Sequence, residues 1–170
     1  MPLITYTIIY HIGGYNNIHM ITKDYIAGFI DGEGYLGIMR MTNPKPRFVV
    51  AIKIAQIIDK DSILYEIQKM YGGRLEYRNH KGNQRKSTTL CFLNNIEIER
   101  VLLDLKDLLI VKKEQCDVLL EFVNLPKGKT GHNFTKDKAL LEEKLSFNRE
   151  LFNKKEQLYL KIRELNKVGK

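Results

Sequence analysis

Cysteine is almost missing from this 170-residue chain, which has only Cys91 and Cys116. They lie in a strand-like and a helix-like apolar run, so they read as buried thiols in a reducing compartment, with no disulfide framework or zinc site. Histidine is equally sparse, and His11, His19, His80 and His132 share no metal-ligand spacing. Acidic residues are outnumbered by basic ones, 20 to 28, for a net charge of +8 and a pI near 9.4. That balance suits a polyanionic partner, but charge alone does not choose among DNA, RNA and an acidic membrane surface. With 44% hydrophobic and 28% charged residues the chain reads as an ordinary globule of one domain, neither disordered nor a membrane protein.

Met1 to Met20 contain no Lys, Arg, Asp or Glu, and Gly13-Gly14 and Asn16-Asn17 interrupt any helical period. Without a basic start or arginine this is neither a signal peptide nor a good transit peptide. Residues 1–21 read as an extension ahead of the core, either a poorly ordered arm or an edge strand from Ile4 to Ile12. Gly128-Lys129-Thr130 lacks the first glycine of a phosphate loop and follows no strand, so no nucleotide cofactor is expected.

What the sequence does hold is concentrated between Thr22 and Gly34. Thr22 offers an N-cap hydroxyl, and Tyr25/Phe29 and Ile26/Ile30 are apolar pairs four apart, as in a short amphipathic helix. Gly28 and Gly32, also four apart, share a face. Each costs roughly 1 kcal/mol of helix stability against Ala, which calls for a reason such as close approach of another backbone. Glu33 falls at the helix C-terminus, where the macrodipole is already negative, and such a place attracts a divalent cation.

Downstream, Tyr35–Met41 and Arg47–Ile57 read as a hairpin around Asn43-Pro44-Lys45-Pro46, a turn whose prolines exclude a helix. Alternation puts Leu36, Ile38, Val50, Ile52 and Ile54 on one face. Tyr35, Gly37, Met39, Met41, Arg47, Val49, Ala51 and Lys53 take the other, less apolar face. Asp59 reads as the cap of a helix carrying Ile63, Leu64, Ile67 and Met70, ended by Gly72-Gly73. A second hairpin, Arg74–His80 and Lys86–Leu93, carries Arg74, Arg78, Lys81, Arg85 and Lys86, the most basic patch of the chain, suited to guanine edges or phosphates. A solubilising hairpin tip is the bland alternative. Helices follow, from Asn94 or Asn95 to Asp107 and from Val111 to Leu125. After a breaker-rich linker, Pro126–Gly131, an amphipathic helical region from Thr135 to Val168 carries Leu141, Leu145, Phe152, Tyr159, Ile162 and Leu165.

Ile26-Ala-Gly-Phe-Ile-Asp-Gly-Glu-Gly34 resembles the LAGLIDADG motif of homing endonucleases, with Glu33 where the motif more often has Asp. The element order over residues 22–125 is similar to that family's α+β core, αββαββα with a saddle-shaped antiparallel sheet, followed by additional C-terminal helices over 126–170. The single motif copy resembles homodimeric members. The resemblance implies a dimer interface of Ala27, Gly28, Asp31 and Gly32, and metal ligation by Glu33 and the Gly32 carbonyl. It implies catalytic roles for Glu33, for Gln56 in placing water, and for Lys112 beside the cleaved phosphate. Asp31, two residues before Glu33, is expected to serve folding or dimer stability. The resemblance, with the basic patch, places the expected DNA contacts on Tyr35, Gly37, Met39, Met41, Arg47, Val49, Lys53, Arg74, Glu76, Arg78, Lys81, Arg85, Ser87 and Thr89.

The expected activity is site-specific hydrolysis of double-stranded DNA at a long pseudo-palindromic site. One Glu33 per chain is too little for such a reaction, and two copies on a two-fold axis supply two carboxylates and two dipole ends. Mg2+ fits this oxygen-only site, with Mn2+ able to substitute and Ca2+ expected to support binding without cleavage. An RNA-binding intron maturase that keeps the fold is the alternative. The abundance of Ile, Lys and Asn fits an AT-rich genome and an organellar intron, in a mitochondrion or chloroplast.

Overall fold

The structure, a computed structural model, describes residues 8–12, 15–19, 21–43, 45–79, 85–128 and 138–167. Lys81 and His80 fall outside these. In the N-terminal extension β1 (Ile8–Ile12) and β2 (Tyr15–His19) pair with each other, Ile8 opposite His19, as a separate two-stranded sheet rather than as an edge of the main one.

The core begins with α1 (Lys23–Glu33), opened by the Thr22 hydroxyl, which accepts from the Tyr25 N–H at 3.2 Å. It runs without a loop into β3 (Gly34–Met41) and then β4 (Arg47–Ile57), paired antiparallel with Gly34 opposite Ile54 and Met41 opposite Arg47. A 3-10 turn over Ile58–Lys60 leads to α2 (Ser62–Tyr71). Asp61, not Asp59, occupies its N-cap position. The Asp61 carboxylate nevertheless makes no cap bond, because the buried Thr88 hydroxyl donates to it. Gly72 and Gly73, at φ 84° and 89°, turn the chain sharply into β5 (Arg74–Arg78), a conformation that L side chains resist. β6 (Ser87–Phe92) completes a four-stranded antiparallel sheet of order β3-β4-β6-β5. α3 (Asn95–Leu105), capped by the Asn94 side chain, α4 (Lys113–Val123) and α5 (Lys138–Leu165) follow.

The expected strand alternation holds. Leu36, Ile38, Val50, Ile52, Ile54, Leu90 and Phe92 are buried with Ile26, Ile30, Leu64, Ile67, Ile98, Leu102, Cys116 and Leu119 in one core between sheet and helices. Each large apolar side chain so buried contributes roughly 1.5–3 kcal/mol. α5 belongs to this core through Leu158 and Ile162, and it covers the edge strand β3. There Asn166 Nδ2 donates to the Leu36 carbonyl at 3.0 Å, Arg40 pairs with Glu156 at 3.0 Å, and Phe48 packs on Phe152 and Tyr159. Leu145, expected on its apolar stripe, is exposed instead, and Leu151 is buried. No described helix is long and apolar enough to cross a membrane.

Candidate functional site

The last turn of α1 places Glu33 as the final helical residue, exposed, and the chain turns at once into extended backbone at Gly34. Glycine is required at 34 because a Cβ there would lie 2.5 Å from the Ile30 carbonyl oxygen. At Gly28 and Gly32 the reverse is true. Both are exposed, and a Cβ would meet nothing within 4 Å. Among the described residues, nothing packs closely enough against these two positions to require glycine. Ala27, expected on the same face, has no exposed surface and packs with Ile26 and Ile30 into the chain's own core, since one residue around a helix is a rotation of about 100°.

Asp31 also turns inward. Its carboxylate accepts the backbone N–H groups of Ile110 at 2.7 Å, Val111 at 3.1 Å and Lys112 at 2.9 Å. The ammonium of Lys112 in turn donates to the Asp31 carbonyl oxygen. These bonds hold residues 110–112 out of helical register, so α4 starts at Lys113 rather than Val111, with Lys112 in the N-cap position. They also bring Lys112 to the helix turn that carries Glu33. Gln56 arrives by register. Ile54 pairs with Gly34, so Gln56, two residues further along β4, passes the start of β3 at the end of α1, opposite Thr88 on β6. Gln56 is half-buried, and its amide makes no hydrogen bond among the described residues.

For a divalent ion one chain offers only part of a shell. No group of three or more His, Cys, Asp or Glu side chains is positioned for a metal among the described residues. The donors that exist at the end of α1, the exposed Glu33 carboxylate and helix-terminal carbonyls such as that of Gly32, are hard oxygens. They suit Mg2+ or Ca2+ rather than zinc, and they leave most of the coordination shell to water or other oxygen donors.

Across the sheet, the face turned away from the helices presents exposed Arg47, Met41 and Tyr35 and half-buried Met39, Val49 and Lys53, whose ammonium lies 3.9 Å from the Met39 sulfur. On β5 the row Arg74, Glu76, Arg78 shares this face. Glu76 accepts from Arg74, and its other oxygen lies 4.0 Å from the Arg78 guanidinium. The Arg74 bond holds the Glu76 carboxyl below the ordinary range, with the charge of Arg78 adding to it, while burial pushes the neighbouring Cys91 thiol up. Ser87 is half-exposed and Arg85 exposed at the far end of β6. Two expected contacts are corrected. Thr89, between Ala55 and Glu76 on the two ladders, keeps only 4% of its surface. Gly37 is buried under the Tyr35 ring, whose hydroxyl lies 2.2 Å from where a Cβ would stand.

A family model described as LAGLIDADG endonuclease matches residues 26–115, more than half of the chain and the stretch from the glycine helix to Lys112. The chain belongs to the LAGLIDADG endonuclease family. Among solved structures, this family member is similar to the homing endonuclease I-CvuI in complex with its target in the presence of Ca, at TM-score 0.56 and 21% identity. The match covers 85% of this chain and 94% of that one. It is similar to the homing endonuclease I-TnaI at 0.61 and 16%, over 86% and 95%. I-SmaMI, in its structure bound to cleaved DNA, matches at 0.61 and 13%, over 86% of this chain and 45% of its own. At these identities the likeness carries the LAGLIDADG fold. No curated protein matches by sequence.

The motif resemblance in the sequence pointed to the correct family. The Asp31 tether and the exposure of Ile110 (86%) and Val111 (70%) beside it had no local signal, because they join residues about eighty positions apart. The basic character of β5 was legible in Arg74 and Arg78, but the pairing of Glu76 with both was not read from the sequence.

Proposed function

We propose that two copies of this endonuclease chain pair through the Gly28/Gly32 face of α1 and, with divalent metal, cut double-stranded DNA at a long pseudo-palindromic site. The observation that carries this is the open glycine face beside an exposed Glu33 on one short helix. Backbone approach at these glycines brings the two Glu33 carboxylates together at two negative dipole ends, a repulsion that bound cations relieve. Ile110 and Val111, exposed and held against α1 by Asp31, extend the apolar area open to the second copy. The sheet face with Arg47, Lys53, Arg74 and Arg78 lies along the duplex, where guanidinium groups read base edges or neutralise phosphates.

At the cut, Glu33 and the Gly32 carbonyl hold the metal, for which Mg2+ is the preferred reading. A hard divalent ion held there by Glu33 and the Gly32 carbonyl would supply water activation and charge compensation at the phosphate. Lys112 faces that phosphate with its ammonium, and the amide of Gln56 orients water beside it. The test uses a plasmid library carrying a randomised insert. Cleavage of a defined subset in Mg2+ or Mn2+, retention of the same subset uncut in Ca2+, and no cleavage in a chelator are the expected results. Binding without cutting in every metal would remove the nuclease reading.

A further inference from the structure

Two elements end against each other at the proposed site, and each supplies what the other's terminus lacks. The first turn of α4 and the residues leading into it present backbone N–H groups that a helix cannot satisfy from within, and the last turn of α1 presents free carbonyls. Asp31 accepts three of those N–H groups, from Ile110, Val111 and Lys112, with both carboxylate oxygens engaged. Lys112, at the N-cap position of α4, sends its ammonium back to the Asp31 carbonyl in the last turn of α1. A carboxylate accepting backbone N–H groups and an ammonium donating to a helix-end carbonyl are both charge-assisted bonds. Both charges also suit the dipole ends they meet.

We infer that Asp31 is the positioning residue of Lys112. Through this reciprocal cap it fixes where the ammonium stands relative to Glu33, so Asp31 acts on the reaction without touching DNA or metal. Asp31 and Glu33 are two residues apart, about 200° around the helix, so one points to α4 while the other is left to the site. The two acidic residues of the motif thus divide the work, one for the metal and one for the lysine. The cap also ties the apolar pair Ile110 and Val111 to α1, so the segment available to a second copy and the ammonium at the phosphate move as one body. This inference rests on the nuclease reading only for what Lys112 does, not for where it is held.

Two measurements on the full chain test it. The first needs neither DNA nor metal: trace acetylation with acetic anhydride, read residue by residue by mass spectrometry, compares Lys112 with the adjacent exposed Lys113. Lys112 should react roughly fivefold more slowly, the factor an ordinary hydrogen bond provides, and Asp31→Asn should bring the two rates together. Equal rates in the native chain, or an unchanged ratio in the variant, overturn the inference. The second is a cycle of single-turnover cleavage rates on a duplex recovered from the plasmid library. Asp31→Asn and Lys112→Ala should each slow cutting roughly a hundredfold, the cost of losing one preorganised donor, and the double variant should be no slower than the worse single one. Losses that multiply would make Asp31 a purely structural residue. If Asp31→Asn does not fold, Asp31→Ser, which keeps a short acceptor for the loop amides, takes its place in both arms. A native chain that cuts no DNA sinks the nuclease reading, while the acetylation ratio still decides the cap.

Discussion

Glu33 occupies an unfavourable place for a carboxylate, the negative end of α1 with no basic residue in that turn. The proposed metal role would offset that cost, and this can be measured in both directions. Glu33→Gln should raise the stability of the metal-free chain by about 0.3–1 kcal/mol, the usual value of a charge at a helix end, read as a small upward shift of the melting temperature. In the presence of Ca2+ its DNA affinity should stay near native, while strand cleavage in Mg2+ falls by orders of magnitude. A Glu33→Gln chain that cuts at the native rate under saturating Mg2+ would show that the carboxylate is not the metal ligand.

At the scale of elements, β5 and the α1–α2–α3 junction each hold a small charged network with a different purpose. On β5, Glu76 lies between Arg74 and Arg78 on a face otherwise short of negative charge. Exposed ion pairs contribute little to stability, so Glu76→Gln should leave the fold unchanged. Freed of their carboxylate, the two arginines should take up further phosphates. The slope of log affinity against log salt would then steepen by about 0.9 for every additional phosphate neutralised, with weaker discrimination among target sequences. An unchanged slope would make Glu76 a bystander.

At the junction, Asp104 accepts from the buried Tyr71 hydroxyl at 2.5 Å and pairs with Lys23, joining α1, α2 and α3. Burial opposes ionisation of Asp104, but the bonds from Lys23 and Tyr71 outweigh it and hold the carboxyl below its usual range. A depressed folded value means that this stabilisation is complete above the unfolded-state value and is lost as pH falls through the folded one. Asp104→Asn should therefore cost about 1–2 kcal/mol at neutral pH, and the deficit should shrink in acid, as followed by denaturant unfolding at several pH values.

For the molecule as a whole, the open glycines separate two kinds of failure that usually come together. A Cβ at Gly28 meets nothing within 4 Å among the described residues and improves helix propensity, so Gly28→Leu should give a folded monomer at least as stable as the native one. The same side chain keeps two α1 helices apart. Sedimentation of the native chain without DNA should give about twice 19.9 kDa, and of Gly28→Leu the monomer mass, with cleavage lost. A native chain that stays monomeric at micromolar concentration would remove the shared site. A Gly28→Leu chain that unfolds would point to close packing inside the chain instead.

Periodicity and punctuation are local, and they were enough for much of this protein. The Thr22 cap, the strand alternation of Leu36, Ile38, Val50, Ile52 and Ile54, the break at Gly72-Gly73 and the motif that names the family all follow from residues within a few positions of one another. The strand-end position of Gln56 and the basic row on β5 were legible for the same reason. Properties that depend on which distant segment arrives next to a residue were not. The resemblance puts Asp31 and Ala27 at a dimer interface, but the loop before α4 uses the Asp31 carboxylate, and the core closes over Ala27. Thr89 lost its reach to the strands on either side, and Asp61 gave up its cap to Thr88, twenty-seven residues away. Sequence spacing determines which way a side chain leaves its own helix or strand, and only the packed molecule decides whether water, a partner or the chain itself lies there.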